Sequence, residues 1–160
     1  AGIKKYRIIL NVNMAYLEDV PQNILDYGEE LRAFAMPVKT WINDGIRVTF
    51  EASGTDFWKP IHTLVTRQTA TSRVYPESHV LLPDEAIDRV TALKMETTWA
   101  SEYVMAEDTL GTLEVGKFAD WVILEQDFFT LPIDEIRGGL SIAMTGLAGK
   151  VVYENDSAGN

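Results

Sequence analysis

The 160-residue chain carries 24 acidic and 14 basic residues, for a formal net charge of -10, and it contains no cysteine. This balance disfavours nucleic acid and anionic membranes as partners. The lack of cysteine excludes disulfides and thiolate metal sites and is typical of a reducing, cytoplasmic compartment. A hydrophobic content of 46% is enough to build a core, and no apolar run reaches the ~20 residues of a membrane span.

The first part of the sequence alternates between strand-like and helix-like segments. Apolar runs of strand length occur at 6–14 and 46–52, and segments with helical spacing follow each of them. The predicted elements, in chain order, are a strand over 6–14, helices over 25–35 and 38–43, a strand over 46–52, a helix over 60–70 and a helical region over 84–103 that is broken near Lys94. This order favours βαβα units and a parallel sheet.

The last part of the sequence predicts a β-meander instead. Its strands are expected over 119–126, 140–145 and 150–154, and a loose tail is expected over 157–160. Two parallel strands are too few for a closed barrel or a doubly wound sheet, and three meander strands are too few for a stable sandwich. Each half is therefore expected to be a part of something larger.

The stretch at 111–127, GTLEVGKFADWVILEQD, has nearly the spacing of a phosphate-binding P-loop. A P-loop needs a Ser or Thr after its lysine to hold Mg²⁺, and a helix behind it. Here Phe118 follows Lys117, and an apolar run of strand composition comes next. We therefore predict a turn that leads into a strand. Lys117 is expected to stay at the surface, Asp120 to bond the turn, and residues 121–124 to fill a core.

Four stretches together resemble the metal-dependent amidohydrolase superfamily, in the branch of YtcJ-like and N-acyl amino acid deacylase enzymes. The most specific is LGTLEVGKFADWVILEQD at 110–127, with GKVVYEN at 149–155, which is similar to the C-terminal signature of that family. The others are MPVKTWINDGIRVTFEASGTD at 36–56, KPIHTLVTR at 59–67 and LLPDEAIDRVTALKMETTWASEY at 81–103. The resemblance extends from Asn11 to Asn155, nearly the whole chain.

The resemblance implies an α/β fold built from the last two β/α units of a TIM (β/α)8 barrel and the C-terminal strands of a small β-sandwich subdomain. It assigns residues 1–108 to barrel strands seven and eight with their helices, 109–156 to the sandwich strands, and 157–160 to a loose tail. The chain has no initiator Met and enters its first strand at once. Because the histidines that ligate the metal in this family are missing from the sequence, we expect barrel strands one to six on a second chain or on another segment of the same polypeptide.

The resemblance also implies a chemistry, namely hydrolysis of amide-type carbon–nitrogen bonds other than peptide bonds. In that family one or two divalent metals, often zinc, activate the attacking water. Asp56 stands where the family has a catalytic carboxylate that contacts the metal and takes the proton from this water. The residues alone favour a simpler interpretation, in which Asp56 caps the helix that follows. The family usually has Ser directly before this Asp, whereas this chain has Thr55.

The other metal ligands of the family have no counterpart in this chain. The family supplies a His-x-His pair and two further histidines, whereas the sequence holds only His62 and His79. His62 is expected to be a packed or surface residue of a helix, and His79 a solvated loop residue. Two residues are weaker candidates for substrate binding. Asn13 is expected near the barrel mouth, and Arg67 is a candidate partner for a substrate carboxylate, with a helix-surface ion pair as the alternative.

The expected partners are the remaining N-terminal portion of the barrel and a small-molecule substrate, with a second copy of the chain as a further candidate. The alternative function is a non-catalytic or degenerate amidohydrolase-like subunit with a scaffold or binding role. An unrelated small α/β binding domain is disfavoured by the signature at 110–127. The metal content of the complete assembly distinguishes the metal-dependent hydrolase from the non-catalytic or degenerate subunit.

Overall fold

The computed structural model describes residues 8–51, 57–69 and 79–155. These residues form a mixed α/β structure with two separate sheets, one of two strands and one of three. The elements are β1 (Leu10–Asn13), α1 (Met14–Tyr27), a 3-10 helix (Glu29–Phe34), α2 (Val38–Asn43), β2 (Val48–Glu51), α3 (Trp58–Thr66), a 3-10 helix (Pro83–Glu85), α4 (Arg89–Glu96), α5 (Thr98–Tyr103), β3 (Trp121–Leu124), α6 (Ile133–Ile136), β4 (Ile142–Leu147) and β5 (Lys150–Glu154).

The first sheet is parallel, as the order of elements predicted. Strand β1 pairs with β2 in a register that sets Leu10 opposite Val48 and Asn13 opposite Glu51. Val48 is fully buried, and Val12 and Phe50 are nearly so. Because the two strands run in the same direction, both end at the same edge of the sheet. This edge is where sites form in parallel sheets.

The helix predicted over 25–35 is misplaced. Helix α1 begins directly after β1 and ends at Tyr27, and Gly28, with a φ of +108°, separates it from the first 3-10 helix. The prediction placed this helix on the Glu, Leu, Arg and Ala content of 25–35 and ended it at Pro37. In the structure the helix continues through Pro21. Burial of Leu17 on its inner side shows that packing outweighs local propensity here.

The helices after α1 lie where the sequence predicted them, but most of them differ from the prediction in length. The helix predicted over 38–43 is confirmed with the same bounds as α2. The helix predicted over 60–70 is α3, which stops at Thr66 because Arg67 takes a left-handed conformation with φ of +60°. The helical region predicted over 84–103 consists of a 3-10 turn, α4 and α5, with its break at Thr97.

The second sheet is an antiparallel meander in the order β3-β4-β5, as predicted. The connection between β3 and β4 packs against the helices of the first part. The Arg89 guanidinium donates hydrogen bonds of 2.6 Å to the carbonyl oxygens of Phe128 and Leu131. The rings of Trp58 and Phe128 lie 6.1 Å apart. This connection also contains α6, a helix that was not predicted from the sequence. Through the contacts above, the connection anchors the meander to the helices of the first part.

The stretch at 111–127 is a turn followed by a strand, and not a helix. Asp120 was predicted to bond the turn of this stretch, but its carboxylate accepts a hydrogen bond of 2.7 Å from the N–H of Ala148, in the turn between β4 and β5. Lys117, predicted at the surface, is instead mostly buried, and its ammonium donates to the Leu110 carbonyl oxygen at 3.3 Å. Residues 121–124 were predicted to fill the core of a sandwich; in the described part of the chain Trp121 and Leu124 are half-buried and Val122 is 52% exposed, and the sandwich core stays a prediction.

A bilayer-spanning segment is not found in the described ranges, since none of their helices is both long enough and apolar enough. The predicted tail at 157–160 and the first residues of the strand predicted over 6–14 lie outside the described residues. The division into units at 1–108 and 109–156 stays a prediction.

Candidate functional site

The candidate site is the carboxyl-terminal edge of the parallel sheet, where β1 ends at Asn13 and β2 ends at Glu51. After this edge the chain leads into α3, whose N-cap position is Phe57. The Phe57 ring lies 6.2 Å from the ring of Phe50 and 5.1 Å from that of Trp58, so an aromatic row covers one side of the junction. This arrangement fixes the start of α3 next to the end of β2.

Asp56, the predicted catalytic carboxylate and metal ligand, lies outside the described residues, as does Thr55. The described residues nearest to Asp56 in the sequence are Glu51 and Phe57. Glu51 closes β2 before it, and Phe57 opens the approach to α3 directly after it. Both the catalytic role and the helix-cap role of Asp56 therefore stay predictions.

Asn13 lies at the carboxyl end of β1 as predicted, and it is half-buried. Its side-chain oxygen accepts a hydrogen bond of 2.9 Å from the Ala15 N–H and so caps the first turn of α1. This capping bond orients the side chain at the edge of the sheet. A cap uses one lone pair of the amide oxygen and leaves the amide donors for other partners. Substrate binding by Asn13 stays a prediction.

Arg67 is fully buried, so the predicted alternative of a helix-surface ion pair is wrong. Its Nε donates to the Leu81 carbonyl oxygen at 2.9 Å, and one terminal nitrogen donates to the Ala35 carbonyl oxygen at 2.5 Å. Burial lowers the pKa of Arg67, and the charge of Glu85 opposes that shift. Arg67 thus ties three segments of backbone together. Binding of a substrate carboxylate by Arg67 stays a prediction, and the hydrogen bonds of its guanidinium to backbone carbonyl oxygens do not support it.

The two histidines are not arranged as metal ligands. His62 is buried in α3, as the packed alternative predicted, with its Nε2 3.4 Å from Asp134 Oδ1 and its Nδ1 3.5 Å from Thr66 Oγ1. His79 was expected to be solvated, but it is half-buried and its carbonyl oxygen accepts the Thr69 N–H at 2.9 Å. Across residues 8–51, 57–69 and 79–155, no group of three or more His, Asp or Glu side chains is placed to hold a metal.

Glu96 is a residue that the sequence reasoning missed. It ends α4, a helix that packs against β2. Burial raises the pKa of Glu96 to about 7, and the backbone of Phe50 partly opposes this shift. Its Oε1 is buried without a hydrogen-bond partner in the described part of the chain. The sequence feature that could have identified Glu96 is its place directly after Met95 in a packed helix. Acidic residues are rarely buried in such a position.

The fold and the site define a class. This is an α/β domain whose candidate chemistry lies at the carboxyl ends of parallel strands. A protein-family model described as the amidohydrolase family matches residues 3–153. The chain therefore belongs to the amidohydrolase family, and the resemblance read from its sequence is confirmed. Comparison with curated proteins gave no match.

Several solved structures are similar to the chain. A prolidase complexed with N-methylphosphonate-L-proline matches 96% of this chain with 36% of its own, at 18% identity and a TM-score of 0.58. A Xaa-Pro dipeptidase with methionine bound in its active site matches 73% of this chain with 24% of its own, at 19% identity and a TM-score of 0.48. An amidohydrolase from Thermotoga maritima matches 74% of this chain with 40% of its own, at 14% identity and a TM-score of 0.37.

Of these three structures, the prolidase has a TM-score above 0.5, and at 18% identity its likeness bears on the fold alone. It indicates a shared α/β architecture over almost all of this chain. The chain spans 36% of the length of that prolidase, and a similarly small part of the others.

Proposed function

We propose that the chain is the C-terminal part of a metal-dependent hydrolase. In this proposal residues 1–108 supply the last two β/α units of a TIM barrel, and residues 109–156 supply strands of a β-sandwich beside it. The family match over residues 3–153 supports this function. The parallel pairing of β1 with β2, each followed by a helix, supports the barrel assignment.

One observation carries the catalytic assignment. Strand β2 ends at Glu51, and the next described residue is Phe57, at the N-cap position of α3. Asp56 therefore belongs to the connection that leaves the carboxyl end of a parallel strand, where barrel enzymes place catalytic groups. We assign Asp56 two roles, as a metal ligand and as the general base that takes a proton from the attacking water.

The metal itself is not accounted for by the described residues. They hold no cluster of three or more ligating side chains, so they do not fit a metal site by themselves. The proposal places the other ligands on the remaining N-terminal barrel portion, carried by a second chain or by another segment of the polypeptide. One or two divalent ions are proposed, with zinc as the preferred identity.

The proposed substrate is a small molecule with an amide-type carbon–nitrogen bond outside a peptide. The assay panel includes Xaa-Pro dipeptides beside N-acyl amino acids, because the solved structure that shares the fold is named as a prolidase. The second candidate function is a non-catalytic or degenerate subunit with a scaffold or binding role. A native assembly that binds no divalent metal and hydrolyses none of these compounds favours the second candidate.

The test is Asp56→Asn in the native assembly. An amide has the size of the carboxylate but cannot accept the proton, so turnover should fall about 10²–10⁴-fold while folding persists. As a matched control, Asp19→Asn changes an exposed acidic residue on α1 and should keep full turnover. Asn is as good a helix cap as Asp. Near-normal turnover of Asp56→Asn would therefore assign Asp56 to capping and remove the catalytic proposal.

A further inference from the structure

Helix α3 begins without a polar cap. Its N-cap position is Phe57, whose side chain has no atom that can accept a hydrogen bond from the first turn. Helices α1 and α4 begin differently, because the side chains of Asn13 and Asp88 accept hydrogen bonds from backbone N–H groups of the first turn. The start of α3 is therefore held by packing and not by a capping side chain of its N-cap residue.

Two aromatic rings from distant parts of the sequence pack at this start. The ring centroid of Phe50, a buried residue of β2, lies 6.2 Å from that of Phe57. Phe128 is buried in the connection between β3 and β4, and its ring centroid lies 6.1 Å from that of Trp58. Phe57 and Trp58 meet edge to face at 5.1 Å. These four residues form a continuous row of rings, the four-ring row, from the parallel sheet to the meander connection.

The Phe128 end of the four-ring row is fixed by hydrogen bonds of its backbone. The Arg89 guanidinium donates to the carbonyl oxygen of Phe128 at 2.6 Å. The N–H of the next residue, Phe129, donates to the Asp127 carboxylate at 2.9 Å. Because the backbone on this side is bonded in this way, the Phe128 ring is a fixed support for Trp58.

The other end of the four-ring row lies next to the proposed general base in the sequence. Asp56 directly precedes Phe57, and the peptide bond holds the Cα atoms of neighbouring residues about 3.8 Å apart. A displacement of Phe57 therefore also displaces the backbone of Asp56. Catalysis by a positioned group depends on such distances, and a misplacement of about 1 Å can lower turnover about 10²-fold.

We propose that Trp58 is a positioning residue: packed between Phe57 and Phe128, it holds the start of α3 against β2 and so holds the backbone from which Asp56 acts. The role of Asp56 itself rests on the proposed function. Trp58 acts through Phe57 and not on the reacting atoms. The connection between β3 and β4 thereby contributes to turnover through the ring of Phe128.

The test compares Trp58→Leu with wild type in the native assembly, with kcat expressed per folded enzyme. The substitution removes the ring that joins Phe57 to Phe128, so kcat should fall about 10–10²-fold. KM should change less than about 2-fold, because the loss falls on the chemical step. Trp58→Phe keeps an aromatic ring between the same neighbours and should restore most of the turnover. An unchanged kcat in Trp58→Leu would overturn the positioning role.

The matched control is Trp41→Leu, on α2. Trp41 is also a partly buried tryptophan packed against the hydrophobic core, and it lies outside the four-ring row. The two substitutions remove the same atoms and should lower the resistance to chemical denaturation to a similar extent. Trp41→Leu should keep the kcat of wild type. An equal loss of kcat in both variants would assign the effect to destabilisation and so contradict positioning by Trp58.

A double-mutant cycle shows whether Trp58 acts through Asp56. In the Asp56→Asn background the general base is already lost, so Trp58→Leu should lower the remaining kcat less than about 2-fold. An equal loss in both backgrounds removes the positioning role and leaves Asp56 as the catalytic residue. Near-normal turnover of Asp56→Asn alone removes the proposed function, and the positioning role with it. If Trp58→Leu does not fold, Phe128→Leu is measured in its place with the same expected results, because it removes the support of Trp58.

Discussion

The two sheets of this chain are built from strands of similar length but differ in how they are covered. In the parallel sheet, Val48 is fully buried and Phe50 is 5% exposed. In the meander, β5 is exposed along its whole length, and Val151 and Val152 are each more than half exposed. The first region finds a core among its own helices. The second presents apolar side chains with no second layer against them in the described residues.

This difference shows which of the two sheets is covered by other elements of the same chain. A parallel sheet needs cover on both faces, and here α1, α3 and α4 supply a continuous core around β1 and β2. An antiparallel sheet can leave one face to water, but its water-facing positions are then usually polar. The apolar exposed positions of the meander fit the proposal that it is part of a β-sandwich completed by other strands.

The largest effect that tests this comparison comes from truncating side chains in the two regions. Leu64→Ala, at a fully buried position of α3, should cost about 2–5 kcal/mol of unfolding free energy because it removes packed atoms and leaves a cavity. Val151→Ala, in exposed β5, should change it by less than about 0.5 kcal/mol. Chemical denaturation of both variants measures the contrast. Similar costs for the two would show that the meander is as well packed as the first region.

A smaller effect concerns the link between the two regions. Arg89→Gln removes two charge-assisted bonds to the carbonyl oxygens of Phe128 and Leu131. The expected loss is about 1.5–3 kcal/mol, concentrated in the connection between β3 and β4. Hydrogen exchange should rise in residues 125–141 and stay unchanged in β1. Lys94→Gln, an exposed change on the same helix, is the control. Uniform exchange across both regions in Arg89→Gln would mean that Arg89 does not anchor the meander.

The smallest effect is a pH dependence confined to the parallel-sheet region. The folded chain raises the pKa of Glu96 from 4.5 to about 7, so the folded state binds this proton more tightly than the unfolded state. This contribution to stability is complete below pH 4.5 and is lost as the pH rises through about 7. Glu96→Gln should remove that slope, and its unfolding free energy should exceed that of wild type at about pH 8. Parallel pH curves for the two proteins would contradict the assigned burial of Glu96.

The sequence predicted the elements whose signals are local. The alternation in IRVTFEA and the apolar run KVVYE were enough to find β2 and β5, and helix α2 was found between Pro37 and the Asp44-Gly45 turn. Helix α1 was misplaced because the prediction followed the helix-forming composition of 25–35, whereas the helix of the structure runs from Met14 to Tyr27.

The site was less predictable because its contacts are long-range. Arg67 bonds to carbonyl oxygens 32 and 14 residues away, and no local pattern reveals that burial. The burial of Glu96 likewise depends on packing between distant parts of the sequence. Asn13 was placed correctly at a strand end, but its capping bond was not foreseen. Asp56 was found by family resemblance alone, since its position between strand and helix also suits a cap.

The most direct test of the central claim is native mass spectrometry, with metal analysis, of the assembly that contains this chain. The account predicts a species heavier than the 17.9 kDa of this chain, which holds further polypeptide and about one or two divalent ions per copy of Asp56. A metal-free 17.9 kDa species that hydrolyses amide substrates by itself would contradict it.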